Sequence, residues 1–407
     1  MFSPKQLNPF CTLVLILTAF CLSNCSDKSE YGEASDYEKG GYSPSGSDNS
    51  SGSDNSSGSG IIKGTVLDNA SDALSGVSVT FVKSGTTSSV VTTVDNGTYS
   101  KTSLSSGTYT LTFSKSGYLE TTQSATLATD SEELTVATVK QLPDTCASTG
   151  TISGTIKDAV SDSAVSDVIL SVRSGLNETS GTIVKTDNTS NSGTYSFSSM
   201  NAGWYTIQTS KSGYIAANFN VFSCGNVSSQ DHSISTSLSS GTMRIVLSWP
   251  ADSTSTDLDS HLTGPDNLSG QGHSGASTKR FHVTYPSSGQ GAFYYAANNY
   301  SCTCDKSDNV TVDQDDQDAP GTETITISNV RSGIYRYSVH EYHGNSSGTT
   351  LAKSGASVTV YYNDLSKNPT TYNVPNASGN LWSVFTFDTS VGLTETNNLQ
   401  PWEIDSL

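Results

Sequence analysis

Residues 257–263 read DLDSHLT, and they set three chemically capable side chains two positions apart. In an extended chain successive side chains point to opposite faces, so Asp257, Asp259 and His261 share one face and Leu258 and Leu262 the other. Two carboxylates beside an imidazole could hold a metal ion or pass protons. A second acidic run, DQDDQD at 313–318, adds Asp313, Asp315, Asp316 and Asp318. Carboxylate oxygens on a loop are the hard ligands that Ca²⁺ takes, and so many like charges repel one another without a cation or a lysine. The expectation is a structural Ca²⁺ site drawn from Asp257, Asp259, Asp313, Asp315, Asp316 and Asp318. The alternative is a set of solvated loop acids, with His261 hydrogen-bonded to a neighbour.

Catalysis finds less support in the sequence. All six histidines lie at or beyond position 232, but the zincin motif needs its two histidines four residues apart on a helix. HEYH at 340–343 is one residue short and continues the strand-like run GIYRYSV, so His340 and His343 should face opposite ways. GHSG at 272–275 lacks the last glycine of a nucleophile elbow and its strand-turn-helix setting. The protein is therefore read as a non-enzyme. A hydrolase centred on His261 would need a pocket joining that residue and its acids to a nucleophile.

The elements that position these residues are strands. The chain of 407 residues is long enough for two to four domains, and Tyr, Phe, Thr and Val are plentiful while Lys, Arg and Met are scarce. Its 20 basic and 38 acidic residues give a net charge of -18, which repels a phosphate backbone and argues against nucleic-acid binding. Residues 1–24 carry Lys5 and the apolar run PFCTLVLILTAFCL, the length of a signal-peptide core and short for a membrane span. LSNC at 22–25 resembles a bacterial lipobox, which implies cleavage before Cys25, acylation of its thiol and anchoring in a membrane. Asn24 departs from the small residue usual there, and Ser26 in place of Asp points to the outer membrane. Residues 25–60, rich in Ser, Gly, Asp and Asn, have too few apolar side chains to offset their ordering entropy. They are expected to form a tether reaching roughly 30 Å.

Two segments after the tether repeat each other, at 61–142 and 143–240. Each opens with GTV or GTI, runs through an alternating strand, and ends in GTYS, a strand and SKSGY. Short alternating runs broken by Gly, Asn and Ser predict antiparallel sandwiches. The first repeat, through Gly64, Val66, Asp68, Gly76, Val77, Val79, Gly97, Tyr99, Leu104, Gly107, Tyr109, Leu111, Gly117 and Tyr118, resembles the carboxypeptidase regulatory-like domain. Gly154, Ile156, Asp158, Val168, Gly193, Tyr195, Met200, Gly203, Tyr205, Ile207, Gly213 and Tyr214 repeat the pattern, with Asp167 where the first repeat has a strand-opening glycine. The resemblance implies a transthyretin-like, seven-stranded sandwich, a fold also classed as carbohydrate-binding-like, and no zinc ligands. The matched tyrosines and glycines read as packing and turn residues. Trp204, the only tryptophan in either repeat, is the residue type that would mark a sugar site if exposed.

Beyond the leader and Cys25, four cysteines remain. Cys146 and Cys224 flank the second repeat, and a disulfide between them would close it. Cys302 and Cys304 in SCTCD are expected to form a local or strained disulfide, the alternative being a metal thiolate pair. Residues 241–407 hold eight or so further alternating strands, a third and larger sandwich of jelly-roll type. Trp249, Asp257, Leu258, Asp259, His261, Leu262 and Pro265, then Asp313, Asp315, Asp316, Gly321, Glu323 and Thr324, resemble a bacterial domain of unknown function often appended to carboxypeptidase regulatory-like modules. Ala319-Pro320-Gly321-Thr322 departs from the Gly-Pro that the family places before its Glu. The chain as a whole reads as an all-β, cell-envelope lipoprotein. Its expected role is adhesion or scaffolding toward a protein partner, with polysaccharide binding as the alternative.

Overall fold

The computed structural model describes residues 58–407 apart from 252, 256, 266–279, 285–291, 296–308, 345, 364–368 and 403–407. The signal segment, Cys25, most of the tether, GHSG at 272–275, Cys302 and Cys304 lie outside the described residues. Among those described, the one α-helix is Thr350–Lys353, and no helix is long and apolar enough to cross a membrane. The fold is all-β, built as three sandwiches.

In the first, one sheet orders Thr98–Leu104, Gly60–Leu67 and Glu133–Thr135, with Val139–Lys140 also on the Gly60 strand. The other orders Thr86–Thr92, Ser78–Lys83, Gly107–Ser114 and Thr121–Leu127. Alternation sends Ile62, Val66, Val79, Phe81, Leu111 and Phe113 into the core between them. The second repeat rebuilds this plan with Thr194–Asn201, Thr149–Asp158 and His232–Ile234 facing Lys185–Asn188, Ile169–Ser174, Gly203–Ser210 and Asn218–Ser223. Both repeats depart from a purely antiparallel scheme in the same way. The closing strand runs parallel to the opening one, with Ile61 opposite Glu133 and Ile156 opposite His232.

The repeated residues do the same physical work twice. Tyr109 donates its hydroxyl to the Ser105 carbonyl and Tyr205 to that of Asn201, each at 2.8 Å and four residues back, fixing a corner in the chain. Gly97 and Gly193 take positive φ of 75° and 70°, and a β-carbon on either would strike the Val66 or Ile156 carbonyl at 2.3 or 2.8 Å. Asp167 adopts φ 52° where its counterpart Gly76 has 69°, so the exchanged residue keeps the turn, an Asp being among the side chains that tolerate it. Cys146 and Cys224 are joined in a disulfide across 78 residues.

The third sandwich packs a five-stranded sheet on a six-stranded one. The first orders Val310–Gln314, Gly321–Ile327, Met243–Trp249, Ser357–Tyr362 and Thr370–Asn373. The second orders Ala292–Tyr295, Arg280–Thr284, Leu258–Pro265, Ile334–Glu341, Leu381–Asp388 and Gly392–Gln400. Three consecutive strands from Leu258 to Tyr295 lie side by side in one sheet. This meander differs from a jelly roll, whose two Greek keys carry consecutive strands between sheets. A core of Leu247, Leu258, Leu262, Tyr337, Trp382 and Phe385, among others, fills the space between.

The sandwiches also grip one another. Leu176 of the second repeat is 3% exposed and belongs to the hydrophobic core of the first, its backbone pairing with Thr122 and Ser124 at 2.7 and 2.8 Å. Buried Arg244 of the third reaches Ser235 Oγ of the second at 2.7 Å, beside an apolar contact of Ala159 with Val246 and Tyr361.

Candidate functional site

The Leu258–Pro265 strand delivers what its alternation promised on one face: Leu258 and Leu262 are fully buried in the sandwich core. The opposite face is also covered. Asp259 and His261 are each 4% exposed, because neighbouring strands and the chain near residue 402 close over them.

Register decides which groups meet. Asp259 lies opposite His340 and Thr263 opposite His282 on the two flanking strands, so three histidines gather on one face. His261 Nδ1 stands 2.9 Å from His282 Nε2, and His261 Nε2 is 3.5 Å from the Thr284 hydroxyl. The Trp402 ring covers this group, its centre 4.2 Å from that of His340 and 5.0 Å from that of His261. Its backbone N–H is fixed by Asn380 Oδ1 at 2.8 Å. Burial, then the adjacent imidazoles of His282 and His340, hold His261 well below the usual histidine range, and burial takes His282 down to about 4. These two rings are neutral at physiological pH.

A carboxylate group adjoins the histidines through Asp259. Glu323, on the Gly321–Ile327 strand of the opposite sheet, accepts the Ser260 backbone N–H on Oε2 at 2.6 Å. Ligand oxygens of Asp259, Asp315 and Glu323 all lie within 4.8 Å of one another, and Asp259, His261 and His340 meet the same limit. Glu323 is 1% exposed, and Asp315 is within hydrogen-bonding reach of it. Burial first, then Asp315 and Asp259, push the Glu323 carboxyl well above the usual range; burial also raises Asp315. Asp257 stands at the rim, moved up to about 6 by burial and by Asp259, with exposed His343 3.9 Å away.

Of the six acids expected to share a cation, the structure brings Asp259 and Asp315 together, with Asp257 at their rim. It does not bring the others. Asp313 bonds the hydroxyls of Thr311 and Thr326, because its strand continues past the expected loop with a bulge between Val312 and Gln314. Asp316 accepts the backbone N–H groups of Asp318 and Thr322, and Asp318 is exposed. Glu323 and His340 are the functional side chains the sequence reading left out of the site. Glu323 carried a signal, since it belongs to the motif quoted above, whereas His340 enters only through cross-strand pairing.

The motif's other members are architectural. The Trp249 indole lies against Gly321, where a β-carbon would come within 2.0 Å of Cζ2, so only glycine fits. The Ala319–Pro320 peptide is cis. Trp204 is half-buried against the first sandwich, with its indole N–H donated to the Lys140 carbonyl.

No curated protein matches the chain. Among solved structures, the shaft pilin SpaA from Lactobacillus rhamnosus GG is similar at 17% identity over 44% of this chain and 98% of its own, with a TM-score of 0.19. The Bacillus anthracis TIE protein is 12% identical over 79% of this chain and 49% of its own, also at 0.19. A minor pilin of Streptococcus agalactiae is 14% identical over 44% of this chain and 98% of its own, again at 0.19. Residues 61–140, which make up the first sandwich with its paired sheets and tyrosine-fixed corner, match the model of the carboxypeptidase regulatory-like domain family.

Proposed function

We propose that this chain is a non-catalytic protein of the bacterial cell envelope, held in the membrane by an acylated Cys25 and acting as an adhesion or scaffold element. The observation that carries the reading is where the reactive groups have gone. The His261 ring is enclosed by His282, Thr284, His340 and Trp402, and the neighbouring Ser260 hydroxyl is bonded to that of Tyr337 at 2.6 Å inside the core. A general base must reach a substrate proton, and this imidazole faces protein on every side. The grip between sandwiches through Leu176 and Arg244 suits a support that keeps its binding loops in fixed positions.

Mass spectrometry of the mature N-terminus, combined with protease shaving of intact cells, tests the proposal. An acylated Cys25 at the N-terminus and release of the sandwiches by protease are expected. A freely secreted, unacylated chain would remove the anchor. Turnover of any substrate that disappears in His261→Ala would replace the non-catalytic reading with a hydrolase.

Polysaccharide binding has its own supporting observation. A cleft of about 400 Å³ lies where the three sandwiches meet, lined by Trp204, Phe222, Asn177, Asn220, Gln230 and Lys353. Aromatic edges and amide groups of this kind meet sugar rings and hydroxyls. A glycan array read with wild type and Phe222→Ala separates the two roles: binding that the substitution abolishes favours the sugar reading.

A further inference from the structure

Two buried oxygens beside the Leu258–Pro265 strand have no hydrogen-bond partner among the described residues: Asp259 Oδ2, which stands 3.8 Å from His340 Nδ1, and Glu323 Oε1. Both residues are more than nine-tenths buried. A buried acceptor left without a donor costs free energy, and a buried carboxylate costs more. Asp315 makes the problem worse. It brings a third carboxylate within 4.8 Å of the other two, and ionised carboxylates are acceptors only, so the group is relieved by sharing a proton or a cation.

We infer that Asp259, Asp315 and Glu323 form a binding site for one Ca²⁺ ion. The distances fit the ion. At Ca–O bonds of about 2.3–2.6 Å, oxygens on one ion stand up to roughly 5 Å apart, and the three ligand oxygens all lie within 4.8 Å of one another. Mg²⁺ demands near-ideal octahedral geometry and keeps several waters, which suits a buried set of protein carboxylates less well. The ligand chemistry fits as well, being all oxygen. The neighbouring trio of Asp259, His261 and His340 is less available, because both nitrogens of His261 already face His282 and Thr284. Asp315, half-buried on the loop side, gives the ion its route from solvent. Glu323 Oε2 is held by the Ser260 N–H, which leaves Oε1 aimed at the site.

The ion would tie the two sheets together at one end of the sandwich, since Asp259 comes from the six-stranded sheet and Glu323 from the five-stranded one. This inference is independent of the envelope role proposed above. Calorimetry on the chelator-treated full chain, titrated with CaCl₂, is the test, with thermal melts in parallel. One ion per chain is expected, with a Kd of about 10⁻⁴–10⁻³ M as in extracellular modules, together with a higher melting temperature. Asp259→Asn and Glu323→Gln should each weaken binding by at least ~10-fold, by loss of ligand charge. Exposed Asp318→Asn should bind as wild type does. Glu323→Gln keeps an acceptor for the Ser260 N–H, so its melt in chelator should equal or exceed that of wild type and show that it folds. No heat and no melting shift with millimolar Ca²⁺, or the same binding in both site variants, would overturn the assignment. So would binding of ZnCl₂ in place of CaCl₂ that vanishes in His340→Ala, which would move the site to the imidazole trio.

Discussion

The indole N–H of Trp204 donates to the main-chain carbonyl of Lys140 at 2.7 Å, so the second repeat is pinned to the last strand of the first. Leu176 enters the same junction from the side. Leu176→Ala should therefore cost about 2–5 kcal/mol, as for other buried leucines, with the loss falling on the first sandwich although the residue belongs to the second. Hydrogen exchange resolved by peptide checks this: protection should drop in Ser78–Lys83 and Gly107–Ser114 as well as around residue 176. Loss confined to the second repeat would mean that the junction is not coupled.

Tyr109→Phe and Tyr205→Phe should each destabilise by about 1 kcal/mol, the usual net worth of one hydrogen bond. The two costs should match, because each hydroxyl meets a carbonyl four residues back at the same distance. Urea unfolding of both variants measures the pair.

Reduction, or the double change of Cys146 and Cys224 to serine, should lower stability by about 2–5 kcal/mol. The bridge closes a span of 78 residues, and long loops lose the most entropy on closure. Melts with and without reductant in wild type and in the double variant give the comparison, and the effect of reductant should be smaller in the variant by the share that this bridge contributes.

His232 gives the second repeat a defined acid limit. Its ring stacks on Phe219 with centres 4.3 Å apart, Nε2 is buried without a hydrogen-bond partner among the described residues, and burial lowers its pKa to about 4. A histidine depressed in the folded state binds its proton more readily when unfolded. Its contribution to stability is whole above about pH 6.5 and is lost as the pH falls toward 4. The loss by pH 4.5 should be of order 2 kcal/mol. His232→Phe should keep the stack, remove the unpaired nitrogen and flatten this part of the profile. Equal acid sensitivity in wild type and variant would refute the assignment.

Much of this architecture was legible in the chain. Period-two alternation placed Leu258 and Leu262 in the core and set Asp257, Asp259 and His261 on the other face, because a strand imposes those directions whatever surrounds it. The repeat was equally plain, since each glycine and tyrosine answers to a local turn or corner. What the chain could not disclose depends on strand neighbours. His340 meets Asp259 through the register of two strands, a pairing that no local spacing encodes. Asp313, Asp316 and Asp318 looked like one loop, but a strand carries Asp313 past its expected end and a bulge redirects it. Trp204 would mark a sugar site only if exposed, and its ring rests on the neighbouring sandwich, a contact set by packing between domains.

The Trp402 ring tilted over the histidines has an optical consequence. Indole emission depends on whether the surrounding imidazoles are neutral or charged and on whether water reaches the ring. This chromophore rests directly on His340 and His261. Among the four indoles of the chain this one should therefore change brightness and colour when that edge of the third sandwich loosens.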